Sequence, residues 1–441
     1  MIAVLRKVSL TQWILISMVL GIFIGWLYPK DWHFHVFGYW IEFNSQNLKV
    51  LSTIFLHMVK SLVAPLIFAT LVVGIAGHGD DMKRIGRLAL KSIIYFEVVT
   101  TLALFIGLAA VNITRPGDGV VLPVDEGKYK APEKAITFEG VLEHTVPSSV
   151  IRAAADNEVL QVVFWSILFA VALTQVRGRP RQIMLETLDA LAQVMFKFTG
   201  IVMSFAPFGV GAAIAVTVGH SGLSVLYNLG LLILTLYAAL VVFLLIVLLP
   251  AAILARVPFR KFARAVKEPA LIAFATTSSE AALPKAMLAM EAIGVPKRIV
   301  AFVMPTGYSF NLDGTTLYLA VASIFVAQSA GVELSWGQQI VMMLTLMLTS
   351  KGVAAVPRAS LVILAGTLTM FNLPLVALGL ILAVDELMDM ARTTVNLIGN
   401  CLATCILARW EGEFDDQASG VEPGEEEAAQ PTEPVAVEQR V

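Results

Sequence analysis

Long apolar runs alternate with short polar segments along this chain. In the first half they cover residues of about 10–28, 48–77, 92–113, 183–218 and 223–254, and one more ends before Arg177. The length of each run is close to or above the roughly 20 residues that a helix needs to cross a bilayer. No small-residue cleavage site follows the first run, which therefore indicates a first span and not a signal peptide. The pattern predicts an all-α polytopic membrane protein.

Basic residues cluster in the segments that an alternating topology places on one side of the membrane. Lys and Arg cluster at 6–7, 83–91, 177–181 and 256–267, whereas the polar stretch 114–146 contains several Gly and Pro residues and indicates an exposed loop. Because cytoplasmic loops carry an excess of Lys and Arg, all four clusters are expected on the cytoplasmic side. The alternation then closes without contradiction, with both termini cytoplasmic and the protein in the inner membrane.

Two apolar stretches in the second half, 268–293 and 337–371, are broken in the middle by small and polar residues. Such interrupted segments are typical of re-entrant hairpins, because non-helical backbone at membrane depth must lie inside protein or line a cavity. Each is followed by a span with polar interruptions, at about 299–329 and 373–410. A hairpin followed by a broken span, twice over, indicates inverted repeats with a midplane site. For the whole chain, the sequence predicts about eight transmembrane helices and two re-entrant hairpins.

Composition agrees with a membrane protein. Of 441 residues, 57% are hydrophobic and 15% are charged, and the mean hydropathy is +0.79. Soluble proteins carry about 25% charged residues. Residues 411–441 are acidic, contain Pro and lack apolar periodicity, which predicts a disordered cytoplasmic tail. The sequence contains no phosphate-binding Gly-rich loop, so it does not indicate transport driven by ATP hydrolysis. Neither a cofactor nor a nucleic-acid partner is expected.

The last span carries a polar stripe within the sequence DELMDMARTTVNLIGN, residues 385–400. Its members are spaced four, three, four and four residues apart, which places them on one face of a helix. Ionisable groups at this depth mark a functional pathway by default, while a structural ion pair between packed helices is the alternative. The stripe consists of Asp385, Asp389, Arg392, Asn396 and Asn400.

Four motifs together resemble the dicarboxylate/amino acid:cation symporter family, which includes glutamate transporters. They are TTSSEAALP at 276–284, NLDGT at 311–315, SKGVAAVP at 350–357 and DMARTTVNLIGN at 389–400. The resemblance extends to about residue 410 and implies a secondary active symporter, assembled as a homotrimer and similar to bacterial proton/glutamate members. It also implies an elevator, in which a transport core at 256–410 moves past a scaffold at 1–255. Span three and part of the region of spans five and six join that core, and hairpin two is the outer gate.

The stripe itself indicates the ligand. Arg392 offers a planar fork suited to a carboxylate, and Asp389 offers an anion suited to an ammonium group. A ligand with both groups is an acidic amino acid. The helix N-termini at the hairpin tips would favour a further anionic group, and N-capping by the Ser-rich tip is compatible with that interpretation. In NLDGT, Gly314 beside Asp313 predicts an unwound helix that offers oxygens to a cation, with a simple Gly kink as the alternative.

The resemblance assigns the same two roles, to Arg392 for the side-chain carboxylate and to Asp389 for the amino group. Members that carry C4-dicarboxylates lack the acid, and neutral amino-acid carriers lack the arginine, so glutamate or aspartate is the expected substrate. The substrate site implied by the family comprises Ser278, Ser279, Thr315, Val356, Pro357, Ser360, Asp389, Arg392, Thr393 and Asn396.

Departures from the family concern the coupling ion. Sodium-driven members have an aspartate where this chain has Asn400, and a tyrosine and a threonine of another sodium site align with Phe96 and Val99. Without these oxygens, a site for a hard cation such as sodium is weaker, which favours protons as the coupling ion. Glu97 is the hypothetical proton carrier, with a structural acid as the alternative. The coupling-ion candidates are Glu97, Thr100, Gly307, Asn311, Asp313, Asn396 and Asn400, of which Asn311 and Asp313 would be metal ligands only if sodium is the coupling ion.

Other functions stay open at this point. A C4-dicarboxylate:cation symporter is the alternative within the class. An intramembrane hydrolase built on Ser278 or Ser279 would need a nearby base, for which Glu280 and Lys285 are the local candidates. A channel would keep the stripe without needing two gates. We expect that the protein is not an enzyme and that its partners are a small-molecule substrate and the lipid bilayer.

Overall fold

A computed structural model of the protein describes residues 10–29, 32–36, 39–76, 82–120, 122, 143, 145–156, 158–350 and 359–418. This part of the chain is mainly α-helical, as the apolar runs predict. The helices of the first half are α1 Leu10–Leu27, α2 Lys49–Ser61, α3 Val63–Ala76, α4 Met82–Thr114, α5 Val150–Ala155, α6 Val159–Gln175, α7 Arg179–Met203, α8 Ala206–Ser221, α9 Val225–Phe243 and α10 Leu249–Leu254. A π-helical turn, Leu244–Leu248, joins the last two.

The second half contains the two predicted helix pairs and the predicted break in span seven, at Asn311 and Leu312. The last span was also predicted to be broken, which is wrong, because Leu378–Glu411 is one continuous helix. Its polar side chains do not interrupt the helix, since they hydrogen-bond to other elements. Its helices are α11 Phe259–Thr276, α12 Ser279–Ala292, α13 Lys297–Phe310, α14 Asp313–Ser329, α15 Trp336–Ser350, α16 Ala359–Met370 and α17 Leu378–Glu411. Hairpin one is the packed pair α11 and α12, and hairpin two is formed by α15 and α16, which also contact each other. The tip of hairpin two, 351–358, lies outside the described residues.

The number of spans can be compared with the prediction only in part. Four described segments are long and apolar enough to cross a membrane: Leu10–Leu27, Arg87–Thr114, Val225–Leu254 and Lys297–Ser329. The predicted fifth run is not one straight helix, because α7 and α8 meet at a bend of 48° and together count as a possible fifth span. The second run is interrupted at Leu62, between α2 and α3. The total of eight spans remains a prediction.

A short β-ribbon follows α1 and was not predicted from the sequence. Strand β1, Trp32–Val36, pairs antiparallel with β2, Tyr39–Phe43. The Tyr28 ring makes edge contacts with the rings of Trp32 and Phe43, at centroid distances of 5.2 and 5.6 Å. Apolar side chains recur at every second position in WHFHV, and aromatic residues favour strands, so a period-two signal was present. The long apolar runs on either side concealed it.

Helix α1 packs closely on α8 through small residues. Gly21 and Gly25 are among the buried residues of α1, and a Cβ at either position would collide with a backbone carbonyl of α8, that of Gly211 or Ala215. Small residues at such positions let two membrane helices approach closely. On the opposite side of α1 large apolar side chains are exposed, among them Val19 and Phe23. That exposure fits a helix surrounded by lipid.

Helix α14 lies at the centre of the second half. Every one of its residues except Gln328 is buried, and it packs against both α4 and α17. A helix that is apolar nearly all round belongs in the interior of a protein. The assignment of span three to the transport core remains a prediction. The division at residue 255 into scaffold and transport core remains a prediction.

The beginning of the predicted tail is ordered against the protein. Helix α17 continues to Glu411, whose carboxylate forms ion pairs of 2.6 Å with Arg87 and Lys91 of α4. These two cations lower the pKa of Glu411. Asp415 N–H then donates to the Gly294 carbonyl at 2.9 Å. The predicted boundary at 411 is therefore too early, and residues 419–441 lie outside the described residues.

Replacing Gly21 by Ala should destabilise the protein. The new Cβ would meet the Gly211 carbonyl, and overpacking of this kind costs about 1–3 kcal/mol. Thermal unfolding in detergent would measure the change. Gly230→Ala in α9 is the matched control, because a Cβ there meets nothing within 4 Å. A midpoint for Gly21→Ala at or above that of the control would contradict the close packing of α1 on α8.

Candidate functional site

The polar stripe of α17 is buried along its whole length, and no member is more than 4% exposed. Its side chains contact α13 and α14 on one side, so the predicted shared face is confirmed by the contacts described below. A solvated charged face is excluded by this burial. The stripe falls into two groups, one around Arg392 and one around Asn400.

Arg392 is held by two carboxylates and one aromatic ring. Its Nε lies 2.8 Å from Asp389 Oδ1, and its Nη1 lies 3.1 Å from Asp385 Oδ1. The guanidinium carbon is 4.1 Å from the centroid of the Tyr318 ring, and the Tyr318 hydroxyl donates to Asp385 Oδ1 at 3.1 Å. Burying a guanidinium is costly unless such partners replace water. The arrangement holds the fork of Arg392 in one orientation.

Asp389 and Thr393 complete this first group. Thr393 Oγ1 donates to Asp389 Oδ1 at 2.9 Å, so this oxygen accepts from both the hydroxyl and the guanidinium. The other oxygen, Asp389 Oδ2, is buried and has no hydrogen-bond partner among the described residues. A buried carboxylate oxygen in this position can accept an N–H donor from a ligand.

Asn396 bridges α17 to the break in span seven. Its Oδ1 accepts from the backbone N–H groups of Gly314 (2.8 Å) and Thr315 (3.2 Å), and its Nδ2 donates to Thr315 Oγ1 at 2.9 Å. The first N–H groups of a helix have no partner within the helix. Asn396 therefore satisfies the start of α14 from outside, and its amide and the Thr315 hydroxyl lie one turn from Arg392.

The position of the helix break corrects the role predicted for Gly314. The chain is non-helical at Asn311 and Leu312, whereas Gly314 already belongs to the first turn of α14. A Cβ at Gly314 would collide with the Arg392 carbonyl. The glycine is required for the close approach of α14 to α17. The helix unwinds before it, at Asn311 and Leu312.

The second group brings together several of the coupling-ion candidates. Asn311 Nδ2 donates to Asn400 Oδ1 at 3.1 Å, and both side chains are fully buried. Glycines open space for them, because a Cβ at Gly307 would collide with Asn400 Oδ1 and one at Gly399 would collide with Asp313 Oδ2. Asn311 Oδ1 has no hydrogen-bond partner among the described residues. With the Asp313 carboxylate it supplies oxygens of the kind that hard cations take.

Span three, which is α4, packs against both α13 and α17. Phe96 and Val99, which align with oxygen donors of the family, are buried in the hydrophobic core. Thr100 is buried, and its hydroxyl donates to the Phe96 carbonyl. Glu97 is half-buried on the same helix. Its role as proton carrier remains a prediction.

The second helix of each hairpin begins near a predicted substrate-site serine. At hairpin one, Thr277 adopts a left-handed conformation (φ 51°), and Ser278 caps α12 by accepting from Ala281 N–H at 3.3 Å. Ser279 is buried in the first turn of α12. At hairpin two, Ser360 lies in the first turn of α16, and its buried Oγ has no hydrogen-bond partner among the described residues. The predicted contacts of Val356 and Pro357 lie outside the described residues.

The hydrolase alternative gains no support at hairpin one. The hydroxyl of Ser278 serves as the cap of α12, and Lys285 is 3.0 Å from Glu268 in an ion pair. The Glu280 side chain is exposed.

Sequence reasoning missed Tyr318 and left Asp385 without a role. Tyr318 follows Asp313 by five residues in an apolar helix, where a phenol must find a hydrogen-bond partner. That requirement was the available signal. Its partner, Asp385, is 67 positions away in the sequence and could not be identified from spacing.

Known proteins resemble the chain over most of its length. The chain is 42% identical to a "Proton/glutamate-aspartate symporter" of Escherichia coli over 419 residues, which is 93% of this chain and 94% of the relative. It is 38% identical to a "Proton/sodium-glutamate symport protein" of Geobacillus stearothermophilus over 425 residues, 94% and 97% of the two chains. It is 40% identical to a "C4-dicarboxylate transport protein" of Bacillus subtilis over 417 residues, 93% and 96% of the two chains.

A profile of the sodium:dicarboxylate symporter family matches residues 10–410. The match covers both hairpins, the broken span seven and the stripe of α17, which are the features from which the resemblance was inferred. The family and these relatives are transporters, which points away from an enzyme. The chain belongs to the sodium:dicarboxylate symporter family.

Proposed function

We propose that the protein is a secondary active symporter that imports glutamate or aspartate with a coupling cation. The observation that carries the proposal is the buried pair formed by Arg392 and Asp389, with Asp389 Oδ2 available among the described residues. The pair offers a cation and an anion about one helical turn apart, and an acidic amino acid has groups that match both. The names of the Escherichia coli and Geobacillus stearothermophilus relatives support the same substrate class.

In this proposal each part of the substrate has its own partner. The fork of Arg392 binds the side-chain carboxylate, supported by Thr315, and Asp389 binds the ammonium group. The remaining α-carboxylate lies toward Asn396 and the N-termini at the hairpin tips, with Ser278, Ser279, Thr393 and Ser360. Helix N-termini stabilise anions through their unpaired N–H groups. The backbone at Val356 and Pro357 would close over the ligand.

The C4-dicarboxylate alternative is kept because such transporters are among the relatives. Asp389 argues against it. A dicarboxylate has no ammonium group, so it would bring a second carboxylate to a buried acid, and like charges at close range destabilise each other. An acidic amino acid makes the same approach with a cation.

Protons are the proposed coupling ion, with sodium as the alternative. Asn400 replaces a carboxylate that sodium-driven members have, and its amide oxygen already accepts from Asn311. Asn311 and Asp313 are the ligands that sodium would use. Cation sites lose affinity as the number of anionic oxygens falls.

The sequence pattern and the resemblance to the family support the remaining parts of the proposal. The protein is a multi-pass protein of the inner membrane with both termini in the cytoplasm, and it forms a homotrimer in which each protomer has its own site. Residues 256–410 form the moving core, and hairpin two is the outer gate.

Uptake under separately imposed gradients would test the proposal. Purified protein in liposomes should accumulate radiolabelled glutamate on an inward proton gradient in the absence of sodium. Accumulation only with sodium would overturn proton coupling and leave symport intact. Accumulation of succinate alone would show that Asp389 does not select an amino group, and equilibration without accumulation would indicate a channel.

Replacing Asp389 by Asn should weaken glutamate binding far more than succinate binding. The substitution removes the anion that faces the ammonium group, and a hydrogen bond to a charged group contributes about 1.5–3 kcal/mol, or roughly tenfold to a hundredfold in Kd. Binding of both ligands to purified protein would measure the effect. Asp189→Asn on the exposed face of α7 is the control. Equal losses for both ligands would contradict the assigned role.

Replacing Asn400 by Asp should increase the response to sodium. The carboxylate would place an anionic oxygen beside Asn311 and Asp313, which strengthens a hard-cation site. The measurement is the sodium concentration that gives half-maximal glutamate binding. A variant that folds and binds glutamate with the same sodium response as the unmodified protein would show that Asn400 does not determine the coupling ion.

A further inference from the structure

An apolar groove on the described part of the chain has no role in the function proposed above. Its volume is about 660 Å³, and it is lined by the π-helical turn after α9 and by α10, α11 and α17. We propose that this α10–α11–α17 groove binds one anionic phospholipid, with an acyl chain along the groove and the phosphate at Lys267. The described lining includes no member of the polar stripe, so the proposal goes beyond the substrate site and does not depend on which substrate is transported.

The lining of the groove is suited to hydrocarbon. It is almost entirely apolar, and two of its large side chains, Leu245 and Leu271, are exposed. One wall is the π-helical turn, whose Leu244, Leu245 and Leu248 all line the groove. Turns of this kind within α-helices occur frequently at functional sites. The groove is therefore an apolar site that opens on the surface of the chain, where lipid is the surrounding medium.

Lys267 places a positive charge in this apolar lining. No acid accompanies it among the described lining residues, and within the described part of the chain Lys267 forms no hydrogen bond or ion pair. The adjacent Glu268 pairs with Lys285 at 3.0 Å. An ammonium group beside hydrocarbon is unfavourable unless an anion or water reaches it. The phosphate of a lipid is an anion that can reach it from the surface of the protein.

The basic neighbours of Lys267 mark the headgroup end of the groove. Arg264 and Arg260 precede it by three and seven residues on α11, so they lie on the same side of the helix, and both are exposed. That end of α11 meets the end of α17, where Arg409 donates to the Arg256 carbonyl at 2.9 Å. Clusters of Lys and Arg beside membrane helices bind anionic headgroups. A lipid without net charge gains less from them, which favours an anionic lipid as the occupant.

The length of the groove fits one leaflet of a bilayer. Side chains of a helix tilt toward its N-terminus and a lysine stem can lie along apolar surface, so the ammonium group of Lys267 can reach about one turn back, to the level of Ala263. From Ala263 to Phe274, the last α11 residue of the lining, a rise of 1.5 Å per residue gives about 16 Å. Half of the hydrocarbon core of a bilayer is about 15 Å thick. A phosphate at Lys267 therefore leaves room for a chain that reaches the middle of the bilayer.

Crosslinking with photoreactive lipids would locate the occupant. Purified, delipidated protein in detergent is incubated with phosphatidylglycerol or with phosphatidylcholine of the same acyl chains, one of which ends in a diazirine, and the labelled peptides are identified by mass spectrometry. Phosphatidylglycerol should label the groove near Phe274, which is the α11 lining residue farthest from the basic end. Its half-maximal labelling should occur at a concentration at least about fivefold lower than that of phosphatidylcholine.

Two substitutions test the headgroup contact and the chain contact separately. Lys267→Gln should raise the half-maximal concentration of phosphatidylglycerol about fivefold and leave that of phosphatidylcholine unchanged, because one basic residue near a headgroup contributes about that factor. Lys197→Gln on α7 is the matched control, since Lys197 is also exposed and does not line the groove. Ala263→Trp should obstruct the groove and reduce labelling near Phe274 by both lipids. Ala190→Trp, at an exposed position of α7, is its control.

Equal half-maximal concentrations for the two lipids, or an unchanged value in Lys267→Gln, would refute the phosphate contact. Labels spread evenly over the apolar surface would refute a defined site. Thermal unfolding is a second measurement, in which phosphatidylglycerol should raise the midpoint of the unmodified protein more than that of Lys267→Gln, because a ligand of the native state stabilises it. Neither measurement requires transport, so a failure of the proposed glutamate symport would leave both results intact.

Discussion

The second half of the protein depends on how one buried guanidinium is compensated. Arg392 is almost completely removed from solvent and exchanges water for Asp385, Asp389 and the face of Tyr318. Removing one partner of a buried ion pair typically costs about 3–5 kcal/mol, because a charge is left without compensation. The helices that carry these partners must therefore stay in register. For this reason α17 and α14 can be regarded as one unit.

The helix break in span seven is stabilised by the same contact surface. Where α13 ends, the N–H groups at the start of α14 would have no partner within the helix. The amide of Asn396 accepts two of them, and Gly314 lets the two backbones approach closely enough for this. An interruption that would be unfavourable in lipid is thus satisfied from the neighbouring helix. It also directs Thr315, Asn311 and Asp313 toward α17.

These contacts place the proposed substrate site and the proposed coupling-ion site close together. Asp385 and Asp389 both pair with Arg392, so a ligand that binds the guanidinium changes the environment of both acids at once. The group at Asn311, Asp313 and Asn400 lies on the same pair of contacting elements, the span-seven break and α17. A symporter needs its two cargoes to affect each other's affinity, and reciprocal coupling of this kind is a thermodynamic requirement. The shared helices supply a direct route for it.

The sequence by itself determined the polar stripe, the break in span seven and the family, because each depends on spacing within one element or on a local motif. Periodicity shows which residues share a face of a helix, and Gly, Pro and Ser runs show where a helix ends. The sequence did not determine which residues of other helices each face contacts. The partnership of Tyr318 with Asp385, the contact of Asn396 with Gly314, and the close approach that requires Gly314 join residues that are far apart in the chain. Only the tertiary structure decided these, since contact across two helices depends on their relative rotation and translation, which no local pattern specifies.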